Sequence, residues 1–283
     1  MIAITGANGQ LGQLVINSLL QKTAAADIVA LVRNPDNAQA LKDLGVEVRK
    51  ADYNQPDTLT SALAGVHKLL LISGSEVGQR VPQHTAVIEA AKAAGVELFA
   101  YTSILKADTN PMVLAQEHKV TEELIQQSGL PAVILRNGWY SENYTQSLPV
   151  VLETGAVADA ASDGRFSTAS RKDYAEAAAV VLTSSENHAG KTYELAGDQS
   201  FTLSDYAAEI SRQSGKHIQY SNMAQQDFAE LLVQVGLPEG FAAALADSGV
   251  QASKGWLEDN SGTLGRLIDR PTETLAEAVA AAL

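Results

Sequence analysis

The 283-residue chain contains no cysteine. That removes disulfides, thiolate-held metals and a cysteine nucleophile together. Basic residues are scarce as well: 20 Lys and Arg stand against 33 Asp and Glu, for a formal net charge of −13. A nucleic-acid partner needs a clustered cationic footprint, and none is present, so any phosphate the protein holds must be met locally. No apolar run approaches the length of a membrane span, and Ile2–Ile4 pass straight into a glycine turn without an apolar secretory segment. A cytoplasmic protein is the expectation. The five histidines are scattered without metal-ligand spacing, so no metal is expected. What is abundant is ordinary for a chain that buries a core, with 46% apolar and 19% charged residues.

The informative feature is the start, where Ile2-Ala3-Ile4 runs into Thr5-Gly6-Ala7-Asn8-Gly9-Gln10-Leu11-Gly12 and then into the helical spacing of Leu14, Val15, Leu19 and Leu20. A strand, a glycine turn and a helix in that order begin a dinucleotide-binding unit, because a pyrophosphate reaches helix N-terminal amides only where no Cβ intrudes. The spacing is G-x-x-G-x-x-G, a variant of the commoner fingerprint. Strand-like and helix-like segments then alternate: strands at 28–32, 46–48, 68–72, 98–101 and 132–135, and helices at 35–44, 56–64, 81–94 and 114–127. Such alternation requires parallel strands joined by crossovers, hence an α/β, Rossmann-type doubly wound sheet. Residues 155–169 read as loops, 171–182 as a helix and 192–195 as a returning strand, while from 204 onward the pattern is mainly helical. The expected division is a dinucleotide-binding domain of residues 1–145 with about 165–198, and a smaller, mainly helical substrate-binding lobe of about 146–164 with 199–283.

NAD-binding units usually place an acidic residue after the second strand, about twenty residues past the glycines, to bind the ribose 2′-hydroxyl. Arg33 stands there instead. A guanidinium holds a 2′-phosphate through charge-assisted hydrogen bonds where a carboxylate repels it, so NADP is favoured over NAD.

With TGANGQLG, the Arg33-Asn34-Pro35 turn, Asp52-Tyr53, the Ser73–Arg80 loop and the run Arg136-Asn137-Gly138-Trp139-Tyr140-Ser141-Glu142-Asn143, the chain resembles the NmrA-like, atypical short-chain dehydrogenases, its quinone-reducing members above all. The resemblance runs over essentially the whole length. It implies a flavin-free reductase in which NADPH lies across the ends of the sheet and a small-molecule quinone enters a cleft between lobes. On this resemblance Gly6, Asn8, Gly9, Gln10 and Leu11 meet the pyrophosphate, Arg33 the 2′-phosphate and Asp52 the adenine edge. Ile72, Ser73 and Gly74 line the ribose, and Asn137, Gly138, Trp139, Tyr140, Glu142 and Asn143 wrap the nicotinamide side. An Asp in a loop serves equally well as a turn carboxylate, so both roles stand open for Asp52.

In one respect the chain departs from ordinary short-chain dehydrogenases, whose Tyr-x-x-x-Lys pair lowers a phenol's pKa for proton donation. None of the eight tyrosines has a lysine four residues later, and Lys106 follows Tyr101 at five. An epimerase or ketoreductase is thereby disfavoured, whereas hydride addition to a quinone gives a stabilised hydroquinone anion that water protonates. The catalytic residues are unknown at this point, with Tyr101, Lys119 and Tyr140 as candidates. His118 and Lys119 at the start of a helix, and His84 near the first turn of another, are expected to be solvated at the surface, and Tyr144 serves equally in packing or in contact with substrate. The alternative function is a redox-sensing regulator of NmrA type that binds NADP without turnover. Oligomeric state is left open.

Overall fold

Short, fully apolar strands such as Ile28–Val32 are buried along their whole length, and only a sheet covered on both faces accommodates that pattern. The computed structural model describes all residues from Met1 to Leu283. In chain order the elements are β1 (Ile2–Ile4), α1 (Gln10–Leu20), β2 (Ile28–Val32), α2 (Gln39–Asp43), β3 (Glu47–Lys50), α3 (Pro56–Ala62), β4 (Lys68–Leu71), α4 (Arg80–Ala94), β5 (Leu98–Ile104), α5 (Val113–Ser128) and β6 (Ala132–Asn137). There follow α6 (Glu142–Thr145), α7 (Leu148–Thr154), β7 (Ala156–Asp159), β8 (Arg165–Phe166), α8 (Arg171–Thr183), β9 (Thr192–Leu195), β10 (Phe201–Thr202), α9 (Leu203–Ser214), β11 (Gln219–Asn222), α10 (Gln225–Gln234), α11 (Glu239–Ala252), α12 (Thr263–Ile268) and α13 (Leu275–Ala282).

The chain divides into two compact units. The first comprises Met1–Ile104, Glu117–Arg136 and Arg171–Tyr193. Its frame is a seven-stranded sheet of order β3-β2-β1-β4-β5-β6-β9, in which β2 and β4 flank β1 in parallel register, Ile2 facing Ile28 on one side and Lys68 on the other. The order reverses direction at β1, and in doubly wound sheets ligands bind at that switch point, beyond the strands' C-terminal ends. Ala3, Val29, Leu31, Leu69, Leu71, Phe99 and Tyr101 build the core against α3 and α4 residues such as Leu59, Val87 and Ile88. Helix α8 packs against α1, and its run of buried alanines permits close approach.

The second unit comprises Leu105–Gln116, Asn137–Ser170 and Glu194–Leu283. It takes in 105–116, 137–145, 165–170 and 194–198, which the sequence division assigned to the dinucleotide domain. It is also less purely helical than expected. The stretch 155–169 contains two strands, β7 pairing in parallel with β11 and β8 antiparallel with β10. Two- to four-residue strands of mixed polarity carry no alternation long enough to register in a sequence window. Tyr144, Phe166, Phe201 and Tyr206 pack ring to ring at centroid distances of 5.4–6.4 Å.

Candidate active site

The glycine turn is built by three different constraints. Gly6 adopts φ +57°, a conformation that costs a side-chain-bearing residue, and its carbonyl accepts the Gly9 N–H at 2.9 Å. Gly9 is the extended N-cap of α1 and offers no side chain to the helix amides, and no acidic residue occupies the first turn. A Cβ on Gly12 would run into the Gly6 carbonyl and lie 2.7 Å from Ala7 Cα, so only glycine lets the helix descend so closely on the turn. The result is a helix N-terminus that no side chain caps and no carboxylate approaches, its positive dipole end suited to an anion.

These residues open onto a cavity of about 520 Å³ at the C-terminal ends of β1, β2, β3 and β4. Gly6, Asn8, Gly9, Gln10, Leu11, Arg33, Asp52, Ile72, Ser73 and Gly74, all selected from the sequence, line it together. Asn8 Nδ2 donates to the Asn37 carbonyl at 3.0 Å, tying the glycine turn to the segment after β2. Asp52 lines the cavity and also closes an Asx turn, accepting from the Asn54 amide at 3.0 Å and from Gln55 Nε2 at 3.1 Å. The wall after β4 is fixed amide by amide: Ile72 N–H donates to Thr5 Oγ1 at 3.0 Å, Ser73 N–H to Thr102 Oγ1 at 2.9 Å and Gly74 N–H to His84 Nε2 at 3.0 Å.

Because His84 Nε2 accepts from Gly74, its proton resides on Nδ1, which donates to Thr121 Oγ1 at 3.0 Å, and Thr121 in turn donates to the Glu117 carbonyl. Burial, reinforced by the Arg80 guanidinium, pulls the His84 pKa down to about 3. The ring is therefore neutral at neutral pH. His84 is thus fully buried and not a surface residue, and His118 is buried too, with its Nδ1 2.7 Å from the Tyr101 hydroxyl. Burial likewise holds His118 well below its ordinary value.

That contact corrects the reading of Tyr101 as a catalytic candidate. Its side chain has no exposure, its hydroxyl is engaged, and burial raises its pKa far above the phenol range, so it is a core residue. Lys119 is exposed on α5 and does not line the cavity, and Lys106 adopts a left-handed loop conformation. Tyr140, half-buried, belongs to the second unit, where it bridges to Ala169. There the segment 137–143 is held by Gly138 N–H donating to the Leu195 carbonyl at 2.7 Å and by Ser141 N–H donating to Ala169. Asn137 Oδ1 is buried without a hydrogen-bond partner. The sequence reading missed Tyr53, Asn54, Glu76 and Gln83, which also line the cavity. Tyr53 donates to the Ile72 carbonyl at 3.3 Å, and burial pushes its pKa up to about 12. Tyr53, Asn54 and Glu76 share a position in the segments just past the C-terminal ends of β3 and β4, whereas Gln83 reaches the cavity from the first turn of α4.

The groove suits a dinucleotide whose phosphates meet α1 and whose ribose meets Arg33. A profile of the NmrA-like family matches residues 1–274. The chain is 58% identical over 279 residues, covering 99% of it and 97% of the other, to a protein of Escherichia coli K12 named quinone oxidoreductase 2. The crystal structure of that NADPH-dependent quinone oxidoreductase in complex with NADPH superposes with a TM-score of 0.97 over 99% of both chains. Citrobacter triphenylmethane reductase complexed with NADP(H) follows at 40% identity and TM-score 0.95, over all of both chains. A transcriptional regulator, NmrA, in complex with NAD shares 17% identity at a TM-score of 0.79, over 98% of this chain and 93% of that one, a likeness of fold alone. With the glycine turn, the sheet order and a near-complete match all in agreement, the chain belongs to the NmrA-like family.

Proposed function

We propose that this protein is an NADPH-dependent, flavin-free reductase of small quinones. The observation that carries the reading is the cavity in which an uncapped helix N-terminus and Arg33 face one groove. The 58% identity to a quinone oxidoreductase supports the same conclusion from sequence. Gly6, Gly9, Gln10 and Leu11 would hold the pyrophosphate, Arg33 the 2′-phosphate, and the fixed amides of Ile72–Gly74 the ribose side. For residues 137–143 the assignment rests on the family resemblance. The bound coenzyme supplies a hydride from the nicotinamide ring.

No tyrosine–lysine pair stands ready to give the product a proton, and Tyr101 is sealed in the core. Such a site performs hydride transfer by proximity and orientation, leaving protonation of the hydroquinone anion to water. A quinone tolerates that division of labour, and an aliphatic ketone does not. The cytoplasmic setting expected from the sequence belongs to this reading. No helix is long and apolar enough to cross a membrane.

Mixing the protein with NADPH and a benzoquinone, without added flavin, tests the proposal through the loss of dihydronicotinamide absorbance. Turnover above the spontaneous rate is expected. A protein that binds NADPH tightly yet leaves that rate unchanged would instead be a coenzyme sensor.

A further inference from the structure

Arg33 does not stand alone at its end of the groove. Its Nη1 lies 2.9 Å from Glu76 Oε1, and both residues line the cavity. The second carboxylate oxygen accepts from Gln83 Nε2 at 2.9 Å, and Gln83 is itself buried. The loop that carries Glu76 is anchored: Glu117 accepts the backbone N–H groups of Gly78 and Arg80, and Arg80 Nε donates to the Gly74 carbonyl at 2.6 Å. Glu76 is therefore held at the place where an adenosine ribose meets Arg33.

Resting on the coenzyme reading above, we propose that Glu76 is a specificity-determining residue that gives the groove a second mode, in which NADH is held through its free ribose 2′-hydroxyl. NAD sites hold that hydroxyl with a carboxylate after the second strand. Here the strand end presents Arg33, and the carboxylate arrives from the loop after β4. A carboxylate has about four lone-pair positions, and the two donors on Glu76 leave room for a hydroxyl. A 2′-hydroxyl donates to Glu76 and leaves the Arg33 pair intact. A 2′-phosphate competes with Glu76 for the guanidinium and is repelled by its charge. One residue thus lowers affinity for NADPH and raises it for NADH.

Titrations of NADPH and NADH into the wild type, Glu76→Ala and Glu76→Gln, followed by dihydronicotinamide fluorescence, test this. For Glu76→Ala the NADPH Kd is expected to fall about threefold and the NADH Kd to rise about threefold, the range of exposed ionic contacts, so the preference widens about tenfold. The NADPH gain should shrink as salt is raised. Glu76→Gln, which keeps an acceptor oxygen, should retain the NADPH gain with a smaller NADH loss. Equal shifts for the two coenzymes, or none, in variants that still bind NADPH overturn the role of Glu76 and leave the coenzyme reading standing. A wild-type protein that binds neither coenzyme overturns both.

Discussion

Gly12 and Arg33 do opposite things for the same groove, one by lacking atoms and the other by supplying charge. A methyl group at Gly12 meets the Gly6 carbonyl and sits 2.7 Å from Ala7 Cα, all backbone that cannot step aside. Gly12→Ala should lower stability by about 1–3 kcal/mol and weaken NADPH binding with it, read from a denaturation midpoint and a coenzyme titration. Arg33→Ala removes no packing, since the side chain is largely exposed, so its effect falls on binding alone. NADPH affinity should drop about tenfold, the low end for charge-assisted hydrogen bonds because solvent screens the site, while the NADH Kd moves much less. Equal losses for the two coenzymes in parallel titrations would remove Arg33 from the 2′-phosphate. The place of both residues at the groove was legible in the sequence because the glycines and the strand end that set it are close in the chain. His84 and His118 were not, since the partners that satisfy their buried ring nitrogens, Gly74, Thr121 and Tyr101, lie 10 to 37 residues away.

At the scale of elements, the strand ends matter more than the strands. The wall after β4 is shaped by three side chains, Thr5 just past β1, Thr102 of β5 and His84 of α4, each taking one amide of Ile72–Gly74. Thr102→Val is close in shape but leaves the Ser73 N–H without its acceptor. The expected cost is about 1–3 kcal/mol, with faster hydrogen exchange at Ser73 and a weaker hold on the coenzyme's ribose. Unchanged exchange would show that water replaces the threonine at no cost. The apolar runs of β2, β4 and β5 and the spacing of α4 and α5 announced these elements from sequence, because each buries a face against the core. The pairs β7–β11 and β8–β10 gave no such signal. Strand β11 is Gln-Tyr-Ser-Asn, with only its tyrosine partly sheltered, and its place is set by the register with Ala156–Asp159.

Across the whole molecule, the two units carry buried groups whose titrations pull stability in opposite directions. In the first unit His84 is held neutral with a folded pKa of about 3 against an ordinary 6.5. Below pH 6.5 the unfolded chain binds a proton that the folded state refuses, so stability is lost as pH falls toward 3, and His118 acts in the same sense. In the second unit burial raises Asp159 to about 7 from 3.8, despite a hydrogen bond from the Ala160 amide. There the folded state keeps a proton that the unfolded chain releases, so stability is lost as pH rises from about 4 through 7. In the window between about 4 and 6.5 the Asp159 slope offsets one histidine, each contributing about 1.4 kcal/mol per pH unit. Asp159→Asn should therefore gain on the wild type as pH is raised from 5 to 8, by an amount on the order of a few kcal/mol, and should lose stability more steeply than the wild type toward acid. Denaturant unfolding of the two proteins at both pH values measures that double difference directly. If the gap between variant and wild type is the same at pH 5 and pH 8, the Asp159 carboxyl is ionised in the folded protein throughout, and the interior of the second unit is wetter than its burial indicates.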